Sequence, residues 1–185
     1  MKKAYLFFAT GFEEVEALTV VDILRRGGVD CKTVSIMGDY DVISSHGITI
    51  RADLLFDERN LEDADMLIMP GGIPGTPNLK AHVGLDKLIR KYQEDGKYLA
   101  AVCAAPTIYG EKGLLEGKNA TCYPGMEAGL VGANALTDKV VCDGQFITSR
   151  GMGTSIDFGL TLLAKLIDEE TAKDVGKKIV YYTEG

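Results

Sequence analysis

The 185-residue chain carries 20 Lys and Arg residues against 27 Asp and Glu residues, which gives a net charge of −7. Its composition, 46% hydrophobic and 25% charged, is that of an ordinary globular protein and excludes a disordered, collagenous or coiled-coil chain. The acidic balance argues against a nucleic-acid partner, because phosphate contacts require clustered Lys and Arg. At this length we expect a single domain over residues 1–185.

The sequence predicts strands that alternate with helices. The predicted strands, in chain order, are Tyr5–Ala9, Cys31–Met37, short strands within 41–54, Met66–Met69, Tyr98–Val102, Asn119–Cys122, Val140–Cys142 and Phe146–Ser149. The predicted helices are Phe12–Arg26, Asp86–Glu94, Pro106–Glu111, Ser155–Asp168 and Glu169–Lys178. This alternation is typical of an α/β fold, in which a parallel sheet is covered on both faces. Ligands of such folds bind beyond the carboxyl ends of the strands.

The start of the chain and its cysteines indicate a cytoplasmic protein. Two lysines and a short apolar run reach Gly11 too soon for a signal sequence, and no run of about 20 apolar residues follows that would span a membrane. The four cysteines lie far apart without a Cys-x-x-Cys pair, which argues against a zinc knuckle or a thioredoxin-type redox pair. We therefore expect the thiols to stay reduced.

The segment Tyr98–Pro106 is the most informative for function. A strand without charge runs into Cys103, alanines stand on both sides of it, and a helix begins at Pro106. This order is typical of a nucleophile elbow, a sharp turn that presents one side chain and tolerates only small neighbours. The dipole of the following helix would favour the thiolate form of Cys103. The alternative is a buried structural cysteine, and the other three cysteines lack this context.

Glu16 is the second informative residue. At about 100° per residue it projects inside the apolar arc of its helix, about 20° from Ile23 and about 40° from Val20. A carboxylate there must be paired, protonated or functional, although the helical wheel alone leaves open a partly exposed position at the edge of the arc. Glu14 projects elsewhere and is predicted to face solvent. Beside a thiol, Glu16 would share one proton with it at neutral pH, because two adjacent anions repel each other.

Two glycine segments follow predicted strands. Gly71 and Gly72 could turn backbone N–H groups into a site as an oxyanion hole, although a plain turn also explains them. Residues 148–155 could bind an anion, with Arg150 close by. This segment lacks the third glycine of a dinucleotide fingerprint, so NAD is not predicted.

Cofactor and metal motifs are weak in this sequence. Residues 113–119 do not fit a P-loop, because their spacing is short by one and Asn119 replaces Ser or Thr. A Cys-His-Asp triad would require the fold to bring His46 or His82 beside Cys103. We therefore expect no cofactor and no metal.

The motifs taken together resemble the ThiJ/PfpI superfamily, in the branch of the parkinsonism-associated deglycase-like protein and bacterial YajL. The resemblance covers nearly the whole chain and rests on the segments Gly11–Glu16, Met69–Gly72, Ala101–Pro106 and Thr148–Thr154. It implies a flavodoxin-like sandwich of the class I glutamine amidotransferase type, and a homodimer. The site residues that it implies are Cys103 as nucleophile, Glu16 as its protonated partner, and an anion pocket formed by Gly71, Gly72 and the backbone of Ala104.

The chain also departs from this pattern. Some relatives have a histidine directly after the nucleophile, where this sequence has Ala104, and others have one where it has Tyr123. These departures argue against protease activity. Tyr123 and Arg150 are instead candidates for the substrate side of the site.

Two functions agree with the sequence. In the first, the protein is a cofactor-free enzyme in which Cys103 attacks a small reactive carbonyl such as methylglyoxal, or its early adduct on protein or nucleotide. Glu16 moves the proton, and water releases a hydroxy acid. In the second, the protein is an oxidative-stress sensor or chaperone in which Cys103 oxidises to a sulfinic acid held by Glu16 and backbone donors. The same two residues serve both functions, so the sequence does not choose between them.

Overall fold

The computed structural model describes residues 1–58 and 60–182. Its strands are β1 Lys3–Phe8, β2 Asp30–Ser35, β3 Asp41–Ile43, β4 Thr49–Arg51, β5 Leu54–Leu55, β6 Met66–Met69, β7 Tyr98–Val102, β8 Asn119–Ala120, β9 Asn134–Ala135, β10 Val140–Asp143 and β11 Phe146–Ser149. Its α-helices are α1 Glu14–Arg26, α2 Gly75–Ala81, α3 Val83–Glu94, α4 Pro106–Glu111, α5 Ser155–Leu166 and α6 Glu169–Lys178. In this part of the chain, no helix has the length and apolar character needed to cross a membrane.

The central sheet has the strand order β10–β11–β7–β6–β1–β2–β5. Every neighbouring pair in it is parallel except β10–β11. The predicted α/β fold with a mostly parallel sheet is therefore confirmed. The parallel strands end at one edge, where the loops after β1, β6, β7 and β11 meet.

Alternate residues of β1 enter two different core layers. Leu6 and Phe8 belong to the layer formed with α1, α5 and α6, whereas Tyr5 and Phe7 belong to the layer formed with α2, α3 and α4. All four side chains are buried. Because both faces of the sheet are covered, the strand appears in the sequence as a continuous apolar run rather than an alternating one.

The first helix begins later in the structure than the sequence predicts. Phe12, the predicted first residue, is buried with its ring stacked on Phe8 at a centroid distance of 4.3 Å. Glu13 is extended and caps the helix, which starts at Glu14. The apolar pattern places Phe12 correctly in the core but does not reveal that its backbone precedes the helix.

Two further differences arise near residues 75–83. Helix α2 is not among the predicted elements, and its segment contains Pro74, Gly75 and Pro77, residue types that are common in loops. Pro77 lies in the first turn of this helix, where a backbone N–H has no helical partner and a proline is tolerated. Helix α3 begins at Val83, three residues before the predicted start, because Nδ1 of His82 accepts the N–H of Leu85 at 3.0 Å and caps it.

Helix α4, which follows the predicted elbow, packs closely against the loop that contains Tyr123. A Cβ atom at Gly110 would lie 2.3 Å from the carbonyl oxygen of Gly129 and 2.7 Å from Cα of Leu130. Both are backbone atoms, which cannot move aside as the end of a flexible side chain can.

Gly110→Ala should therefore lower the free energy of unfolding. Alanine favours a helix by about 1 kcal/mol over glycine, but overpacking against backbone costs about 1–3 kcal/mol and should outweigh that gain. The measurement is urea denaturation. Gly153→Ala is the control, because a Cβ at Gly153 meets nothing within 4 Å, and its unfolding free energy should change by less than about 0.5 kcal/mol. Equal stability of the two variants would contradict the close contact at Gly110.

Candidate active site

Cys103 stands in a strained turn directly after β7. Its φ of +63° lies in the left-handed region, which residues other than glycine rarely adopt. Two backbone hydrogen bonds hold the turn: Cys103 N–H donates to the carbonyl of Ser149 at 3.0 Å, and the carbonyl of Cys103 accepts from Tyr123 N–H at 2.8 Å. With α4 beginning at Pro106, the segment has the geometry of a nucleophile elbow.

Glu16 lies on the core side of α1 and is only 1% exposed. Its Oε2 accepts the N–H of Gly71 at 2.9 Å, and its carboxyl group also hydrogen-bonds the side chain of Cys103. A Cβ atom at Gly71 would lie 2.7 Å from Oε2 of Glu16 and 3.1 Å from Sγ of Cys103. The absence of a side chain at Gly71 therefore makes room for the carboxyl group and the thiol.

The two adjacent glycines after β6 have different partners. The N–H of Gly71 is bound to Glu16, whereas the N–H of Gly72 faces the sulfur of Cys103 together with the N–H of Ala104. Gly72 has a φ of +94°, and a Cβ there would lie 2.5 Å from the backbone nitrogen of Glu13. Only a glycine fits this crossing of two loops, so the position of one sulfur donor depends on it.

Burial and charge couple the titration of Glu16 and Cys103. Burial raises the pKa of Glu16 to about 7, and the charge of Glu13 adds to this effect. Burial and then the charge of an ionised Glu16 raise the pKa of the Cys103 thiol to about 12, while the Ala104 and Gly72 amides lower it. The helix dipole that the sequence analysis invoked thus does not by itself produce a free thiolate. The pair keeps at least one proton at neutral pH, because two buried anions in contact are unfavourable, and it loses the other proton near pH 7.

The structure brings Tyr123 to this pair and turns Arg150 elsewhere. A Cβ at Gly151 would lie 3.5 Å from the Tyr123 ring and 3.9 Å from Oε1 of Glu16, so the ring borders the site, and Tyr123 is 51% exposed. The guanidinium of Arg150 donates from Nη1 to the carbonyl of Thr137 at 3.0 Å. Arg150 is therefore next to Gly151 in the chain, but its guanidinium group binds the neighbouring loop that contains Thr137.

The prediction that Glu14 faces solvent is wrong. Glu14 is 6% exposed and accepts hydrogen bonds from Ser45 Oγ at 3.2 Å and from His46 Nδ1 at 2.9 Å. The cause is the β3–β4 hairpin, which folds over the start of α1 and is held by the bond from Ser45 N–H to the carbonyl of Phe12. A helical wheel describes one helix and contains no information about a hairpin that covers it.

The two histidines have structural partners away from Cys103. His46 pairs with Glu14, and their ligand atoms and an oxygen of Glu13 all lie within 4.8 Å of one another. Because Glu14 and His46 are satisfied by each other and by Ser45, we interpret this group as a hydrogen-bonded structural cluster. His82 caps α3, as described above, so neither histidine of the chain forms a pair with the Cys103 thiol.

Glu13 is the residue near the site whose role the sequence analysis missed. No role was predicted for it above, but its Oε2 accepts the backbone N–H of Glu16 at 2.6 Å. The signal in the sequence is the spacing of three residues between Glu13 and Glu16, which is the spacing between an N-cap and the third helical position. Glutamate is not among the preferred N-cap residues, so this spacing carried little weight.

These features define a class: an α/β protein with a cysteine at a nucleophile elbow, backed by a buried carboxyl group and two backbone donors. The chain belongs to the DJ-1/PfpI family, whose family model matches residues 2–165. Among curated relatives, Protein DJ-1 homolog B of Arabidopsis thaliana is 40% identical over 97% of this chain. The chain spans only 41% of the length of that plant protein. A deglycase of Pyrococcus horikoshii is 29% identical over 80% of this chain and 89% of its own length.

Solved structures of the same superfamily have this fold. A cysteine-to-alanine mutant of a DJ-1 superfamily protein from Salmonella typhimurium has a TM-score of 0.94 and 32% identity, covering all of both chains. The oxidised form of Toxoplasma gondii DJ-1 has a TM-score of 0.95 and 29% identity, covering 99% of this chain and all of its own.

Cys103 should be the first thiol labelled by limiting iodoacetamide at pH 7. The pKa values alone do not rank these thiols, because burial raises the pKa of Cys103 and Cys31 to about 12 and that of Cys122 to about 11. Cys103 differs because it is only half-buried, the Gly72 and Ala104 amides face its sulfur, and the Glu16 carboxyl beside it loses its proton near neutrality. Below about pH 5 both members of the pair are protonated, so labelling of Cys103 should be slow there and should rise towards about pH 8.

Peptide mapping of the labelled protein measures the order. Cys142 is exposed but has a raised pKa, so it serves as an internal control whose labelling should rise at higher pH than that of Cys103. Earlier labelling of Cys31 or Cys122 would contradict the assignment of the reactive thiol.

Proposed function

We propose that the protein is a cofactor-free enzyme that converts small reactive carbonyls such as methylglyoxal, or their early adducts on protein or nucleotide, into hydroxy acids. Cys103 is the nucleophile and Glu16 the acid. The observation that carries the proposal is the buried Glu16 carboxyl, 1% exposed, hydrogen-bonded to the thiol. The deglycase named among the relatives supports the same substrate class.

The chemistry follows from the single proton of the pair. The Cys103 sulfur bonds to the aldehyde carbon of methylglyoxal, and the Glu16 proton goes to the carbonyl oxygen, which gives a hemithioacetal. The Glu16 carboxylate then takes the proton from that carbon, and a proton returns to the neighbouring carbon, which gives a thioester of lactic acid. Water hydrolyses the thioester and restores the thiol. Methylglyoxal plus water becomes lactic acid, so the step needs no external oxidant or reductant.

The surrounding groups have separate tasks in this proposal. The N–H groups of Gly72 and Ala104 stabilise negative charge on the sulfur and on the adduct oxygen. The Gly71 N–H orients the Glu16 carboxyl. Tyr123 borders the entrance and contacts the substrate, and Arg150 acts at most through the loop it binds.

Glu16→Gln should lower lactate formation from methylglyoxal by about 100-fold or more while Cys103 remains alkylatable. Glutamine keeps a hydrogen-bond donor of similar length but cannot exchange a proton. Glu16→Asp keeps the acid but withdraws it by about 1.5 Å, one carbon–carbon bond, and should lose part of the rate.

The measurement is lactate release by the wild type and both variants, with Cys103→Ser as the inactive control. If both Glu16 variants match the wild type in turnover and in the pH dependence of alkylation, Glu16 does not take part in the reaction.

A second function is supported by a specific observation: a neighbouring structure is an oxidised DJ-1. In this alternative Cys103 is an oxidative-stress sensor, and the oxidised protein binds unfolding clients as a chaperone. The thiolate attacks hydrogen peroxide and releases water to give a sulfenate, and a second peroxide gives a sulfinate. Glu16 and the Gly72 and Ala104 amides supply three hydrogen-bond donors for the sulfinate oxygens. Peroxide-dependent suppression of client aggregation, without lactate formation, would favour this function over the enzyme.

We further propose that the protein forms a homodimer in the cytoplasm. Four large apolar side chains on neighbouring elements are 42–52% exposed; they are Val15, Leu18, Ile43 and Ile48. The hairpin that carries Ile43 and Ile48 is bound to the start of α1 through Ser45, His46 and Glu14. Because a second copy presents the same apolar surface, a two-fold contact would cover both.

All four cysteines are free thiols, which agrees with a reducing compartment.

Light scattering at micromolar concentration should give about twice the 19.9 kDa mass of the chain. Leu18→Glu should shift the mass towards the monomer, because it buries a charge in the contact. Val83→Glu is the matched control: Val83 is 69% exposed on α3, and the same charge there should leave the dimer intact. A wild-type mass near 20 kDa would refute the dimer.

A further inference from the structure

Three hydrogen bonds form a closed ring that links Glu13, Gly71 and Glu16. The side chain of Glu13 accepts the backbone N–H of Glu16 at 2.6 Å. The backbone N–H of Glu13 donates to the carbonyl of Gly71 at 2.9 Å. The backbone N–H of Gly71 donates to the side chain of Glu16 at 2.9 Å. Glu13 is thus bound both to the backbone of the acid and to the residue that orients the acid's carboxyl group.

This ring joins two segments that the sheet only brings near each other. Glu16 belongs to α1, which follows β1, and Gly71 belongs to the loop after the neighbouring strand β6. An ordinary N-cap satisfies a free N–H of its own helix. At Glu13 the side chain caps the helix while the backbone N–H binds the second loop, so the capped helix end and Gly71 are held at one residue. The cap thus helps to set the distance between the Glu16 carboxyl and the Gly71 amide.

The charge of Glu13 lies against the backbone of the acid. A neighbouring carboxylate disfavours a second anion at Glu16 and favours its protonated form. The titratable groups that face Glu13 are Glu14 on the same helix and His46 on the β3–β4 hairpin, and both are engaged with each other. Glu13 is therefore a neighbouring charge that acts on the proton of the pair.

We propose that Glu13 is a positioning residue for the Cys103–Glu16 pair: its ring of hydrogen bonds fixes the acid, and its charge holds the shared proton in the pair at neutral pH. This inference rests on the pair assigned in the proposed function. It adds a residue that acts through Glu16 and does not itself touch the substrate.

Two substitutions distinguish the electrostatic role of Glu13 from its positioning role. Glu13→Gln keeps a side-chain oxygen of the same length, so the cap and the ring persist while the charge is lost. Glu13→Ala removes the charge and the cap together. Asp22→Asn is the control for charge alone, because Asp22 is an exposed acid on the same helix whose partner is Arg26.

The readout is the rate of Cys103 alkylation by iodoacetamide as a function of pH, which needs no enzyme turnover. In Glu13→Gln the midpoint of this curve should move roughly 0.5–1 pH unit lower, because a proton leaves more readily once the neighbouring anion is gone. Glu13→Ala should show a similar shift and also a several-fold lower plateau rate. Asp22→Asn should match the wild type.

An unchanged midpoint in Glu13→Gln would overturn the electrostatic role, because a purely structural cap leaves the curve in place. A plateau rate in Glu13→Ala equal to that in Glu13→Gln would overturn the positioning role. Lactate formation is measured separately. If the wild type forms no lactate while the alkylation midpoints shift as expected, the enzyme proposal fails and the role of Glu13 stands.

Discussion

The structure around the site depends on one unfavourable placement, a carboxyl group inside the core. Glu16 occupies a position in α1 where its neighbours Ala17, Val20 and Ile23 are apolar and buried. An unpaired charge there would cost several kcal/mol. The fold offsets that cost through the Gly71 amide and the Cys103 side chain, and through a pKa raised by burial to about 7. The carboxyl group is therefore kept at the point of losing its proton under physiological conditions.

The backbone near the site is constrained so that this carboxyl group fits. A Cβ at Gly11 would lie 2.6 Å from the backbone nitrogen of Pro74, and one at Gly75 would lie 2.6 Å from the backbone nitrogen of Phe12. The loops after β1 and β6 thus pack backbone against backbone, which only glycine permits. Cys103 adds its own strain at a φ of +63°, held by partners from two further segments. Such strain persists only where the surroundings over-determine it, as at many functional sites.

A proton shared by sulfur and carboxyl explains why both proposed functions rely on the same site. When the proton is on Glu16, the sulfur is a nucleophile with an acid next to it, as carbonyl chemistry requires. The same thiolate reacts with peroxide, and the same donors then stabilise the product. The arrangement fixes the reactivity of the sulfur, and the choice between the two reactions rests on which electrophile reaches the half-buried thiol.

The sequence by itself determined the features that depend on local order. Apolar runs separated by glycine turns predicted the parallel sheet, because strands buried on both faces must be apolar throughout. Small residues around Cys103 predicted the turn after β7, and helical periodicity placed Glu16 in the apolar arc. Helix α2 was not predicted, since proline is more common in loops than in helices. Pro77 nevertheless fits there, because it lies in the first turn of the helix, where a proline is tolerated.

Only the tertiary structure decided which groups meet. It turned Arg150 towards Thr137, brought the Tyr123 ring to the site and buried Glu14 under the hairpin. It also gave the two glycines after β6 different partners: the N–H of Gly71 binds the Glu16 carboxyl, whereas the N–H of Gly72 faces the Cys103 sulfur. These contacts join residues that are distant in the chain, and their geometry depends on how loops cross at the sheet edge. Hydrophobic periodicity is a property of one helix or strand at a time, so it does not predict where two loops cross.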